Sequence, residues 1–387
     1  MDFHDDPGQA GWRSQVRDFV STEWKKADGD DGPTNMEQAR ARTGPVAAWR
    51  EKLAGKGWIA PAWPKEYGGA SLGVMEQFIM NEEFAESRVP PVGGMGVAMI
   101  GPTIIIHGNE DQRKEHLGAI LRGEVQWCQG YSEPGSGSDL ASLQTRAVRD
   151  GDDFVINGQK IWTSGAHHAD WMFMLARTDP DAPKHRGITY FLMDMKSPGV
   201  TVRPLINMGN MHNFNEVFFE DVRVPARNVL GEVNRGWYIG TTTLDFERSS
   251  IGNAVGQRQS LEYYMRELKK SGVKSPTVRN EFADRWMEAA VAKMMSYKVI
   301  SIQAEGRVPN HEASIAKLFN TELSQRIART AMKMLGPASQ FTDPVSAPLK
   351  GRAPASYLST VASTIAGGTS EVQRNIVATR GLGLPRA

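Results

Sequence analysis

The hydrophobic period of this chain changes twice, and that change limits its fold more than any other feature. Up to about residue 124 apolar positions recur at helical spacing, as in Trp12, Val16, Phe19, Val20 and Trp24, with charged residues between them. The pattern repeats over 47–57 and 75–88, and Gly57-Trp58-Ile59-Ala60-Pro61 and Tyr67-Gly68-Gly69 break it. Short stretches rich in valine, isoleucine, threonine and aromatics follow, at 145–148, 154–157, 171–178, 187–195 and 216–224. Turn signals separate them: Asp150-Gly151, Asn157-Gly158, Asp179-Pro180 and Ser197-Pro198-Gly199. Strands that succeed one another without helices between them predict an antiparallel β-barrel or sandwich rather than a βαβ sheet. From Trp237 onward the helical period returns, over 237–252, 258–271, 278–306 and 312–335, with a last helix from Ser370; 337–354 reads as the most loop-like stretch. The expected class is mainly α with a middle β domain. Its divisions are an N-terminal α-helical domain over 1–124, a β domain over 125–235 and a C-terminal bundle over 236–387.

Composition narrows the function. Forty-five basic residues against forty-four acidic ones leave a net charge of +1, so no global field favours nucleic acid or an anionic membrane. A lone Cys128 excludes an intramolecular disulfide and a cysteine-based metal cluster. The start, Met1-Asp2-Phe3-His4, has neither the basic region nor the apolar run of a secretory signal. The uncharged stretch between Arg88 and Glu110 carries Pro90, Pro91, Pro102 and several glycines, so no membrane span and a cytoplasmic location are expected. Glycine is abundant at thirty-nine residues, which directs attention to places where backbone turns sharply or approaches something closely.

Familiar nucleotide motifs fail. Gly135-Ser136-Gly137 lacks the third glycine of a dinucleotide fingerprint, because Leu140 stands there, and no strand–turn–helix unit surrounds it. His167, His168 and Asp170 invite a metal reading, but adjacent histidines on a strand would point to opposite faces. The segment from Tyr131 to Asp139 is more informative. Pro134 fixes a turn, Gly135 and Gly137 let backbone approach a flat or anionic group, and Ser132, Ser136 and Ser138 offer hydroxyls. Read alone it is equally a Gly/Ser surface loop. Downstream, Asn157-Gly158-Gln159-Lys160-Ile161-Trp162-Thr163-Ser164 adds an indole and two hydroxyls, a combination suited to a planar heteroaromatic cofactor; taken singly, Trp162 reads as core. Glu247 and Arg248, in Leu244-Asp245-Phe246-Glu247-Arg248, are either a structural ion pair or a general base with a raised pKa beside a cation. Finally, Gly367 and Gly368 precede a helix for which Ser370 and Gln373 read as a capping box. Free N–H groups at such a turn contact phosphate or polarise a carbonyl, or merely begin a helix.

In this order the segments resemble the acyl-CoA dehydrogenase family over essentially the whole chain. The motifs are Ser-Glu-Pro-Gly-Ser-Gly-Ser-Asp from Ser132, Asn-Gly-x-Lys-x-Trp-x-Ser from Asn157, Phe-Glu-Asp-Val-x-Val-Pro at 219–225 and Gly-Thr-Ser-Glu-Val-Gln-Arg at 368–374. The resemblance implies a helical domain, a β domain and a four-helix bundle, with FAD between the last two. It places Tyr131, Ser132, Gly137 and Ser138 on flavin and phosphate, Ser138 also toward substrate, Trp162 against the isoalloxazine and Ser164 near flavin N5. Thr369 and Glu371 match the family's C-terminal cofactor contacts. The implied reaction is α,β-dehydrogenation of an acyl-CoA thioester, with electrons passed on to an electron-transfer flavoprotein-like acceptor. A carboxylate in water is too weak a base for the α-proton, so the thioester oxygen must be polarised by preorganised donors. In the family these are a flavin ribityl hydroxyl and a backbone N–H at the position of Gly367.

Two departures sharpen the expectation. Many members carry the catalytic glutamate where this chain has Gly367. Another branch carries it on a helix of the C-terminal domain, where Glu247 matches, with Arg248 a neighbouring cation that helps hold CoA. Homotetrameric members also clasp the FAD adenosine with Arg-x-x-Phe-Gly and Gln-x-x-Gly-Gly motifs. Here the first is missing between Tyr264 and Asn280, and the second reads Lys333-Met334-Leu335-Gly336-Pro337. That pattern is similar to actinobacterial steroid side-chain dehydrogenases, in which a homologous subunit completes an α2β2 assembly; a homotetramer is the alternative. The small residues Gly93, Gly94, Gly96 and Gly101 are consistent with room for a branched or polycyclic acyl group, or with close helix packing. A flavin monooxygenase or oxidase of the same fold, or a non-catalytic partner subunit, are the competing readings.

Overall fold

The computed structural model describes residues 4–24, 44–245, 251–272 and 275–385. The helices are α1 (Pro7–Glu23), α2 (Pro45–Ala54), α3 (Val74–Glu86), α4 (Gly101–His107) and α5 (Glu110–Arg122), then after the strands α6 (Gly236–Asp245), α7 (Ile251–Ser271), α8 (Pro276–Ala304), α9 (His311–Leu335), α10 (Arg352–Ser363) and α11 (Ser370–Ile376). The strands are β1 (Trp127–Gly130), β2 (Arg146–Asp150), β3 (Asp153–Lys160), β4 (Trp171–Arg177), β5 (Ile188–Asp194), β6 (Val200–Ile206) and β7 (His212–Pro225). These elements form two compact units: α1, α3 and α7–α11 in one, and the remaining helices with all seven strands in the other.

In the strand-containing unit the sheet runs β1-β4-β2-β3-β7-β6, and β5 pairs with the other edge of β4. Alternation sets the register. Phe154 and Ile156 of β3 face the core with Val222 and Val224 of β7, and Gly158 sits at a bulge where a Cβ would lie 2.7 Å from the Thr145 Cα. β4 and β5 are buried almost throughout, because α6 covers the face away from the main core. Its approach is close: a Cβ on Gly236 would meet the Tyr190 backbone N at 2.4 Å.

The sheet is not wholly antiparallel. β1 runs parallel to β4, with Trp127 opposite Trp171, and β2 meets β4 in parallel at Arg146 and Arg177. The long excursion from β1 through β2 and β3 permits this, and turn-counting along the sequence does not register it. β1 and β6 lie outside the expected strands. β1 is four residues long, and the β6 run carries exposed Thr201 and Arg203 with Pro204 inside it, as an edge strand tolerates. Two of the N-terminal glycines serve packing: a Cβ on Gly101 would lie 1.9 Å from the Trp63 ring, and one on Gly96 would lie 3.0 Å from Ile120, whereas Gly94 has open space around it.

The other unit packs α7, α8 and α9 around Leu261, Phe282, Ala292, Leu323 and Ile327, with Ala353 of α10 joining the same core. A buried Glu82 on α3 receives Arg13 of α1 at 2.7 Å, Lys293 of α8 at 2.7 Å and the Tyr297 hydroxyl at 3.2 Å. The stretch over 337–354 is only partly a loop, because α10 begins inside it. Pro354 sits in the first turn of α10, where no i→i−4 donor is required, so it starts a helix instead of breaking one. No helix among the described residues is long and apolar enough to cross a membrane.

Candidate active site

The chain leaves β1 at Gly130 into the Tyr131–Asp139 segment. Glu133 and Ser136 exchange backbone hydrogen bonds of 3.1 and 3.0 Å around Pro134 and Gly135, which closes a tight turn. Ser136 is buried and its hydroxyl donates to the Asp139 carbonyl at 3.1 Å. Ser132 is half-buried, Gly137 and Ser138 are exposed, and nothing lies within 4 Å of a Cβ built on Gly135 or Gly137. The turn is anchored from beneath. The Glu133 carboxylate accepts from the Gln144 N–H at 2.6 Å, the Thr145 N–H at 2.9 Å and Lys160 Nζ at 2.7 Å. Lys160, fully buried at the end of β3, also donates to the Tyr131 carbonyl at 3.1 Å. Burial pulls Lys160 down to about 8 against the opposing pull of Glu133. Burial works against the Glu133 carboxylate too, but the ammonium and the converging donors outweigh it and hold its pKa below the ordinary value. The sequence signal that Lys160 points inward is its strand position in register with the buried Phe154 and Ile156.

Next comes Trp162, a non-glycine residue at φ +60°, with its indole 54% exposed and edge-on to Phe214 at 5.9 Å. A bulky residue in the left-handed region costs on the order of 1–2 kcal/mol and persists only where its surroundings over-determine it. Asn215, fully buried on β7, supplies that constraint. Its backbone carbonyl accepts from the Thr163 N–H at 3.0 Å, and its Nδ2 donates to the Thr163 carbonyl at 3.0 Å and to His167 Nδ1 at 3.0 Å. Because a carbonyl can only accept, the amide orientation is fixed, and Oδ1 faces His212 Nε2 at 2.8 Å. His167 and His168 occupy a 3₁₀ turn, not a strand, so their rings meet at 4.0 Å instead of parting to opposite faces. Among the described residues no histidine, cysteine, aspartate or glutamate group is placed to hold a metal ion. Ser164 is half-buried, and Thr163 Oγ1 is buried with no partner among the described residues.

A buried hydroxyl chain ties this region to α6. The Tyr131 hydroxyl donates to Tyr190 at 3.3 Å, Tyr190 lies 3.2 Å from Thr243 Oγ1, and Thr243 lies 3.0 Å from Thr103, which donates to the Met99 carbonyl at 2.8 Å. Burial holds the Tyr190 phenol well above its ordinary pKa, so it stays neutral. α6 is thereby held at Thr243. Glu247 and Arg248 lie outside the described residues.

The other unit holds the Gly367 turn. Gly367 and Gly368 take φ +62° and +88°, and a Cβ on Gly368 would lie 2.5 Å from Gln373 Nε2. The carbonyls of the turn are tied back: Gln373 Nε2 donates to Gly367 O at 3.1 Å and to Gly368 O at 3.3 Å, and Lys317 Nζ donates to Gly368 O at 2.6 Å. The N–H groups of Gly367, Gly368 and Thr369 have no acceptor among the described residues. The N-cap of α11 is Thr369, whose hydroxyl accepts from the Val372 N–H at 3.2 Å, and not Ser370; Gln373 reaches the glycine carbonyls instead of closing a capping box. Ser370 Oγ is buried without a partner among the described residues, beside a cavity of about 420 Å³ that Thr369, Glu371, Arg326, Arg329 and Arg374 also line. Its own backbone N–H and the Thr369 hydroxyl lower the Glu371 pKa, which keeps the carboxylate ionised.

The Trp162 indole is exposed on a constrained turn beside the buried, unpartnered Thr163 hydroxyl, and in the other unit the Ser370 hydroxyl is likewise buried without a partner among the described residues. The chain matches the acyl-CoA dehydrogenase N-terminal domain over 6–124, the middle domain over 128–222 and the C-terminal domain over 234–382. It belongs to the acyl-CoA dehydrogenase family and is an FAD-dependent oxidoreductase. It is 35% identical to acyl-CoA dehydrogenase IpdE1 of Mycobacterium tuberculosis over 97% of each chain. Among solved structures, the Tcur3481–Tcur3483 steroid ACAD superposes with a TM-score of 0.85 at 33% identity, covering 100% of both chains. The ChsE4–ChsE5 complex of Mycobacterium tuberculosis gives a TM-score of 0.82 at 34% identity, again over 100% of both.

Proposed function

We propose that this chain is the base-bearing subunit of a heteromeric acyl-CoA dehydrogenase acting on a branched or steroid side-chain acyl-CoA. The observation that carries the reading is the Gly367 turn: its carbonyls are tied back by Gln373 and Lys317, and no side chain at Gly367 can act as base. A turn of this kind polarises a thioester carbonyl but cannot remove a proton, so the base must come from elsewhere. Glu247 takes that role, removing the α-proton, and Arg248 steadies the CoA moiety. FAD, when bound, supplies the acceptor for the β-hydride. Tyr131, Ser132, Gly137 and Ser138 hold the cofactor's polar groups, Trp162 covers the ring, Ser164 meets its edge, and Thr369 and Glu371 contact it from the C-terminal turn. The proposed division of the chain at about 124 and 235 rests on the change of hydrophobic period.

Two observations favour a heteromer. Lys333, where homotetrameric relatives carry a clasping glutamine, is tied to Glu281 at 2.6 Å. Both solved relatives named above carry two protein names, and one is described as a steroid enzyme. The test is anaerobic bleaching of flavin by a panel of acyl-CoAs, including steroid side-chain thioesters, with the chain expressed alone and with homologous subunits. Co-expression restores flavin content. Glu247→Gln then abolishes bleaching, by about 10³-fold in rate, with flavin retained. Near-normal bleaching in that variant removes Glu247 from the mechanism, and full FAD occupancy in a lone homotetramer defeats the heteromeric assignment.

A further inference from the structure

Two successive left-handed glycines have little intrinsic preference for one turn geometry, so their partners must select it. A peptide unit is planar, and holding its carbonyl in one direction holds its N–H in the other. Gln373 fixes the plane shared by Gly367 O and the Gly368 N–H, and Lys317 fixes the plane shared by Gly368 O and the Thr369 N–H. Of the two braces, the ammonium at 2.6 Å is the charge-assisted and stronger one. Lys317 is also an unusual group to spend on a carbonyl. It is half-buried on α9 and forms no ion pair with a carboxylate among the described residues.

We propose that Lys317, through its hydrogen bond to the Gly368 carbonyl, is a positioning residue that sets the Gly368–Thr369 peptide and, beside Gln373, fixes the turn whose N–H groups polarise a substrate carbonyl. This rests on the reading that the turn polarises a thioester. The ammonium also polarises the peptide unit it binds, which strengthens the Thr369 N–H as a donor. Burial lowers the pKa of Lys317, and Glu371 on the packed α11 opposes that with its negative field. The brace is therefore strongest when Lys317 is protonated and weakens, losing its charge assistance, as pH rises through this lowered value, earlier than for an ordinary lysine.

The experiment uses the flavin-loaded enzyme and a trans-2-enoyl-CoA carrying ¹³C at the thioester carbonyl, which binds without further reaction. The probe's carbonyl stretch, read by isotope-edited infrared difference, reports polarisation directly. Wild-type enzyme lowers the stretch, and the lowering fades at alkaline pH. Lys317→Met returns most of it toward the free value and lowers kcat by about ten- to a hundredfold, with flavin content unchanged and KM within about twofold. Lys317→Arg keeps the charge, restores part of both and removes the alkaline fade. If Lys317→Met proves insoluble, the fade in wild type and its absence in Lys317→Arg carry the test alone. A stretch and kcat unchanged in Lys317→Met overturn the inference while leaving the turn's role intact. Absence of any shift in wild type overturns the reading of the turn itself.

Discussion

The Tyr131–Thr145 loop and the Gly367 turn meet the same requirement by opposite means. On the proposed reading each leaves hydrogen-bonding groups open for a ligand, and each holds its remaining polar backbone back. The loop does so with a buried charge: Lys160 is fully buried and the Glu133 side chain 8% exposed. The turn uses Lys317 and Gln373, which are not sealed within a β core. A sealed ion pair is bound up with the fold, because removing one partner strands the other charge. A brace at a surface turn can be removed with little loss of folding free energy. The comparison separates positions where a change destroys the protein from positions where it changes only the chemistry.

The sharpest way to break this contrast is Lys160→Met. It should destabilise the protein by about 3–5 kcal/mol, seen as a large drop in thermal midpoint, because Glu133 loses its ammonium inside the core. Lys317→Met should move the same midpoint by less than about 1 kcal/mol while damaging turnover. Pairing Lys160→Met with Glu133→Leu should recover only part of the loss, because the stranded charge is removed but the Gln144 and Thr145 N–H groups lose their acceptor. Equal destabilisation by the two lysine variants would dissolve the distinction.

A smaller effect is expected at Asn215. Asn215→Ala removes the amide that fixes Thr163 and His167, and should cost about 2 kcal/mol with a loosened Trp162 indole, read by fluorescence anisotropy. Asn215→Asp should be worse at neutral pH, because a carboxylate oxygen would then face the Thr163 carbonyl. A milder effect of the aspartate would mean the amide is turned the other way.

Much of this was legible in sequence for identifiable reasons. The helix–strand–helix order follows from a period that tertiary contacts do not override, and the glycine positions announce the loops. What was not legible depends on partners distant in sequence. The parallel β1–β4 pairing joins residues 44 apart, as at Trp127 and Trp171. The roles of Asn215, Tyr190 and Thr243 arise only when β7, β5 and α6 converge. Ser370 was read as a cap because serine commonly caps helices, whereas Thr369 one residue earlier has the extended backbone that an N-cap needs. Gln373 was assigned to that cap and in fact serves the glycine carbonyls.

The finest test lies at Thr163, whose hydroxyl is buried without a partner among the described residues although Ser164 beside it carries the motif. An unsatisfied hydroxyl costs folding free energy, so Thr163→Val should leave the flavin-free protein equally stable or more stable, by up to about 1 kcal/mol. If the hydroxyl is kept for the cofactor, the same variant should bind FAD about five- to tenfold more weakly, the equivalent of one hydrogen bond. The two signs are opposed, which is what makes the variant informative. Thermal unfolding with and without added FAD reads both: the baseline midpoint holds or rises, and the flavin-dependent increment shrinks. A lowered baseline with an unchanged increment would mean that Thr163 serves the fold alone, and the Trp162 turn would then resemble the sealed loop more than the open one.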